Sequence, residues 1–144
     1  MNDNEFDPQV LLDYILSPEE ATGGIITIRS RKTGKDYSYK INKTLFLNKM
    51  YFWVYVEVGR LEFRKLGRYT NERIMTGQHI VYTPPAEGIA WILDKLLSGE
   101  IDKVREQTEF FHTGLCIACN RTLTDAVSIE IGMGSICRQK NKAR

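Results

Sequence analysis

The chain has 144 residues, a formal net charge of +2 and 42% hydrophobic residues, a composition that suits one packed domain with at most a small appendage. No apolar run reaches the roughly eighteen residues a membrane-spanning helix needs, so no membrane role is expected. The start, Met1-Asn2-Asp3-Asn4-Glu5-Phe6-Asp7-Pro8, is acidic and has neither the basic nor the apolar region of a signal peptide. With reduced thiols, this makes the cytoplasm the expected compartment.

Charge is unevenly spread. Residues 1–28 hold acids and no Lys or Arg, whereas Arg29, Arg31, Lys32, Lys35, Lys40, Lys43 and Lys49 face Asp36 alone. Residues 87–110 turn acidic again, and Arg138, Lys140, Lys142 and Arg144 make a basic tail. Such blocks mark either interaction surfaces or solvated faces.

Pro8 to Leu16 reads as a short amphipathic helix, with Val10, Leu11, Tyr14 and Ile15 at helical spacing. Ser17-Pro18 and Thr22-Gly23-Gly24 break the chain after it. Ile25 to Ser30 and Asp36 to Ile41 form a hairpin around Gly34, with Tyr37, Tyr39 and Ile41 alternating with polar residues. The strongest strand is Tyr51 to Val58. It places Phe52, Val54, Val56 and Val58 on one face, and Tyr51, Trp53 and Tyr55 on the other. A partner strand runs from Leu61 to Leu66, and another from His79 to Thr83. Thr83-Pro84-Pro85 opens the best helix, whose stripe is Ile89, Ile92, Leu93, Leu96 and Leu97 and whose stop is Gly99. A strand is expected around Val104.

All three cysteines lie near the C-terminus: Cys116-Ile117-Ala118-Cys119 and, after seventeen intervening residues, Cys137. A C-x-x-C turn presents two thiolates to one tetrahedral zinc ion, and Asn120 tolerates the left-handed backbone such a turn needs. Cys137 supplies a third thiolate. His112 is the expected fourth ligand by nearness and type, with His79, Asp125 and Glu130 as alternatives. A redox pair and three inert buried thiols compete with this reading. The first lacks its flanking strand and helix; the second leaves the clustering unexplained. The expected fold is α+β: an antiparallel sheet with one principal helix over residues 1–108, and a zinc-knuckle unit with the basic tail over 109–144. Structural Zn2+ would substitute there for a core the unit is too short to build.

The segment from Cys116 through Arg121, Leu123, Thr124, Asp125, Ser128, Ile129, Gly132 and Gly134 to Cys137 resembles a small domain of unknown function frequent in tailed-bacteriophage proteins. Its pattern is C-x-x-C-G-R-x-L-T-D-P-x-S-I-x-x-G-I-G-P-x-C. Asn120, Ala126, Met133 and Ser135 depart from it, and none is a ligand. The resemblance implies a phage or mobile-element source and brings no activity with it.

Enzyme motifs are absent: no G-x-S-x-G, no phosphate-binding glycine loop, no H-E-x-x-H and no deaminase pattern. A catalytic zinc would require solvent as the fourth ligand. The first functional expectation is therefore a non-catalytic phage-type protein that binds a host defence protein, for example an anti-CRISPR inhibitor of a CRISPR effector. The alternative is single-stranded nucleic-acid binding, with bases stacking on Tyr51, Trp53 and Tyr55 beside Arg64, Lys65 and Arg68. Against it stands the ordinary fate of sheet aromatics, which is to pack beneath a helix.

Overall fold

The computed structural model describes residues 4–142; Met1, Asn2, Asp3, Ala143 and Arg144 lie outside the described residues, as do the side chains of Asn141 and Lys142. Its frame is one antiparallel sheet. The strands are β1 (Glu5–Phe6), β2 (Ile26–Ser30), β3 (Asp36–Phe46), β4 (Lys49–Gly59), β5 (Glu62–Thr70), β6 (Arg73–Thr76), β7 (His79–Ile80) and β8 (Thr108–His112). Their spatial order is β1-β8-β2-β3-β4-β5-β6-β7, so the last strand returns to sit between the first two.

The two-residue period decides what this sheet buries. Tyr39, Ile41, Val54 and Val56 point to one side and are buried. Phe52 is half-buried beside them, and Val58 is exposed near the strand's end. Helices α1 (Pro8–Leu16), α2 (Pro84–Leu97) and α3 (Ile101–Gln107) cover that side. From α1 the Tyr14 hydroxyl donates to Ile41 O at 2.7 Å, and the Tyr39 hydroxyl donates to Pro85 O of α2 at 2.7 Å. Leu11, Ile15, Ile89, Ile92, Leu93, Leu96 and Val104 fill the space between. Two further helices, α4 (Ala126–Ile131) and α5 (Ser135–Lys142), belong to the C-terminal segment.

Several expectations are corrected. Alongside α2, the longest helix, α1 and α3 contribute to the core, so the sheet is not served by one principal helix. Val104 sits in α3, not in a strand: Val104 O accepts the Thr108 hydroxyl and ends that helix. The domain division at 108/109 falls inside β8, which pairs with β2 from Ser30↔Thr108 to Ile26↔His112. The strand expected over 79–83 is only His79–Ile80, and β6 was not foreseen.

Asp7 starts α1 and holds it to α3. Its carboxylate accepts Gln9 N–H at 3.0 Å and takes two bonds from Arg105 at 2.8 and 2.9 Å. Arg105, and then Gln9, hold that carboxyl below the usual range against partial burial. The pair therefore stabilises the fold above the ordinary carboxylate range and ceases to do so as pH falls below about 4. Asp7→Ala should cost about 1–2 kcal/mol, the worth of a lost N-cap. Asp7→Asn, which keeps an acceptor, should cost less. Urea unfolding checks this: the gap between wild type and Asp7→Ala should be full at neutral pH and shrink in acid.

Candidate functional site

After β8 the chain turns at Gly114, whose φ is 90°. Leu115 then bridges Thr122, Cys116 N–H donates to Arg121 O at 2.7 Å, and Asn120 N–H donates to Cys116 O at 2.8 Å. Asn120 has φ 67°, the left-handed residue expected of it. Cys116 and Cys119 thus leave one tight turn, and α5 delivers Cys137 to them. The three sulphurs lie within 4.8 Å of one another, a grouping that could hold a metal ion.

The backbone favours ionised sulphur at Cys116. Cys116 is buried, which opposes ionisation, but N–H groups of Gly134, Ala118 and Cys119 outweigh burial and hold its thiol below the ordinary range. Two of these bonds, from Ala118 and Gly134, are 3.4 Å each. Cys137 behaves oppositely: burial first, then the neighbouring sulphurs, push it up to about 12. A cation shared by the three would remove that conflict, because it would displace the proton from the reluctant Cys137 thiol.

His112 lies elsewhere in the network. Its ring is buried, Nδ1 accepts Gly114 N–H at 2.9 Å, and Nε2 lies 2.6 Å from Ile129 O. Both ring nitrogens are engaged, and His112 is not part of the sulphur group. The expected fourth ligand instead clamps the knuckle's entry to the end of α4. His79 is on β7, at the sheet edge opposite β1. Asp125 is the N-cap of α4, where Ser128 holds its carboxyl below the usual range.

Two cavities flank the sulphurs. One, of about 280 Å³, contains Cys119, Cys137, Arg121, Asp125 and Lys140. The other, of about 300 Å³, lies towards the end of α1 and contains Glu19, Glu20, Lys43 and Lys140. Asp125, Glu19 and Glu20 are the carboxylates facing these spaces. Glu19 and Glu20 were missed from sequence, because they reach the site through folding and not through spacing.

The knuckle is fastened to the body by backbone. Gly24 N–H donates to Ile117 O at 2.8 Å, and Ile117 N–H donates to Gly132 O at 3.0 Å. A Cβ on Gly24 would stand 2.1 Å from Cys116 O, closer than any side chain permits. The Gly23-Gly24 pair, read from sequence as a chain break, is the place where the knuckle seats.

The second candidate surface is the opposite side of the sheet. Tyr51, Trp53 and Tyr55 lie there, half-exposed, and not under the helices. Lys65 Nζ stands 4.7 Å from the Trp53 ring centre, Arg68 5.0 Å from Tyr51, and Lys49 5.6 Å from Tyr51. The Trp53 indole N–H donates to the Thr44 hydroxyl at 3.0 Å. Lys40 lies 5.1 Å from the Phe63 ring centre. Arg64 does not share this surface: it pairs opposite Val56, whose side chain is buried. The cause is a register shift between Val54↔Gly67 and Tyr55↔Lys65, which brings Lys65 and Arg68 to one side although they are an odd number of positions apart.

Residues 106–142 match a family of unknown function (DUF6011), a span that includes the three cysteines, His112 and α4. No curated protein and no solved structure matches the chain. No helix of the described residues is long and apolar enough to cross a membrane.

Two outcomes are expected. Gly24→Ala should loosen the knuckle from the sheet at a cost of about 2 kcal/mol or more, seen as faster amide exchange over residues 114–134 with the sheet still protected. In a cobalt titration read by thiolate-to-metal absorption, the wild type should saturate at one ion per chain. Cys137→Ser should abolish the signal, whereas His112→Asn should keep it and weaken binding by about ten- to a hundredfold at most, as an outer-shell change does.

Proposed function

We propose that this chain is a non-catalytic, single-stranded nucleic-acid-binding protein whose C-terminal thiols hold one structural zinc ion. The observation that carries the reading is the open face of β4, where three rings stand side by side with cations already above two of them. Along one face of a strand, alternate residues are about 6.6 Å apart, so each ring can take one base. A strand laid across β4 would displace Lys65, Lys49 and Arg68 from the rings onto phosphates, and stacking would supply about 1–3 kcal/mol per base. Because every base has a π-face, such a site reads little sequence.

The zinc assignment follows from the donor set. Thiolates favour soft and borderline ions, and Zn2+ is the usual occupant of a tetrahedral site with three cysteines and one further ligand. Its role here is to replace packing. Cys116, Ile117, Leu123 and Met133 join the main core, but the segment around them is short turns and helices of six and eight residues. A structural ion also leaves no chemistry to assign, which supports a binding module over an enzyme.

Docking onto a host defence protein such as a CRISPR effector rests on the phage-type resemblance and on the acidic blocks. Five of those acids have partners of their own: Asp7 and Asp102 with Arg105, Glu19 with Lys140, Glu100 with Lys95 and Lys103, and Glu109 with Arg31. Acidic blocks partly neutralised in this way offer less to a basic partner than the ring face offers to a nucleic acid.

Fluorescence anisotropy with a labelled oligothymidine tests the proposal. The wild type should bind with an affinity that falls steeply with salt. Trp53→Ala should weaken binding by about tenfold or more, the worth of one stacked base. Lys65→Ala with Arg68→Ala should flatten the salt slope, and Arg64→Ala should change little. Equal binding by wild type and Trp53→Ala, or no binding at low salt, would remove the reading.

A further inference from the structure

The β3–β4 hairpin reaches past the rest of the sheet. β3 and β4 pair as far as Phe46↔Lys49, whereas β2 meets β3 only up to Tyr39 and β5 meets β4 only from Trp53. At the overhanging end the chain exposes Leu45 (44%), Phe46 (63%) and Leu47 (84%) in succession. The turn is Leu47-Asn48, with φ of 52° and 65°. A two-residue turn with both φ positive ordinarily carries Asn-Gly or Asp-Gly, and a leucine held left-handed costs on the order of 1–2 kcal/mol. Neither core packing nor turn chemistry explains a bulky apolar residue at that position.

Register ties this tip to the ring face. Phe46 shares its side of the hairpin with Thr44, which pairs with Tyr51 and receives the Trp53 indole N–H. The rings of Tyr55, Trp53 and Tyr51 therefore run in a line towards Phe46, with Lys49 beside it. A single strand stacked along that line is led to an exposed apolar edge. The ligand that suits such an edge is the flat face of a terminal base pair: apolar side chains that insert at base steps are how several protein folds open or cap stacked DNA.

We infer that Phe46 and Leu47 form a wedge seated on the last base pair of a duplex where it gives way to single strand, making a fork junction the preferred ligand. The inference rests on the proposed role of the β4 ring face, and adds to it a substrate class and a polarity along the hairpin. Lys40, Lys49, Lys65 and Arg68 carry the charge complementary to the strand that leaves the junction.

The test compares two labelled ligands, an oligothymidine and the same strand extended into a short hairpin duplex, by anisotropy. The variant is Phe46→Ser with Leu47→Asn, in which Asn suits the left-handed turn and preserves the hairpin. Wild type should bind the fork about tenfold tighter than the single strand, the worth of one stacking contact. The double variant should lose that preference and keep its single-strand affinity within about twofold, whereas Trp53→Ala should weaken both ligands together. Equal wild-type affinity for the two ligands, or a double variant that keeps the preference, overturns the wedge while leaving the ring face standing. Wild type binding neither ligand overturns both. Binding to anionic lipid vesicles that the double variant abolishes, without any fork preference, reassigns the tip to membrane contact and overturns the wedge.

Discussion

Register between β3 and β4 is the constraint on which the molecule depends. From Tyr39↔Val56 to Phe46↔Lys49 the two strands pair without interruption, so one alternation governs both. It sends Tyr39, Ile41, Val54 and Val56 under the helices and leaves Tyr51, Trp53 and Tyr55 outside. A slip of one residue would exchange the two sets, burying rings and lysines while exposing aliphatic side chains. The core and the candidate binding face are therefore set by one choice. The twist and bend at Val54/Tyr55 then recruit cations from β5 to the ring side. Gly67 permits that bend, since a Cβ there would lie 2.5 Å from Met75 O.

Much of this could be read from sequence where a local rule decides alone. Helix α1 occupies the expected residues because Asp7-Pro8 fixes its start, and the strand pattern of residues 51–58 fixes both faces of β4. The C-x-x-C spacing and Asn120 announce the thiol knuckle. What sequence could not show is what depends on a partner strand or a distant segment. Arg64 alternates correctly with Phe63 and Lys65, yet the register shift across β4 moves Lys65 and Arg68 to the rings and leaves Arg64 behind. His112 is near the cysteines along the chain, but its position in β8 turns the ring towards Ile129 and Gly114. The strand expected around Val104 is helix α3 instead, because Val104 packs into the main core from that helix.

Charge needed the fold most of all. Lys43 belongs to the basic block of residues 29–49, but it is only 2% exposed. Its ammonium donates to Tyr14 O and Ser17 O at 2.5 and 2.9 Å and stands 4.5 Å from the Tyr14 ring centre. A cation at the carbonyl end of α1 satisfies groups that helix geometry leaves without partners and complements the helix dipole. No composition argument distinguishes that lysine from Lys40, which remains on the open face.

Lys43 also explains why the thiol unit and the hairpin are parts of one construction. Its backbone pairs with Ala21 in both directions, at 2.8 and 3.1 Å, just ahead of the Gly23-Gly24 seat of the knuckle. Its side chain shares the cavity that contains Cys119 and Cys137. The segment from Ala21 to Gly24 is thus held on one side by the root of the hairpin and on the other by Ile117 O. An ion held by the three sulphurs would therefore act on a knuckle whose seat, Gly24, lies in the same short segment that pairs with the root of the hairpin.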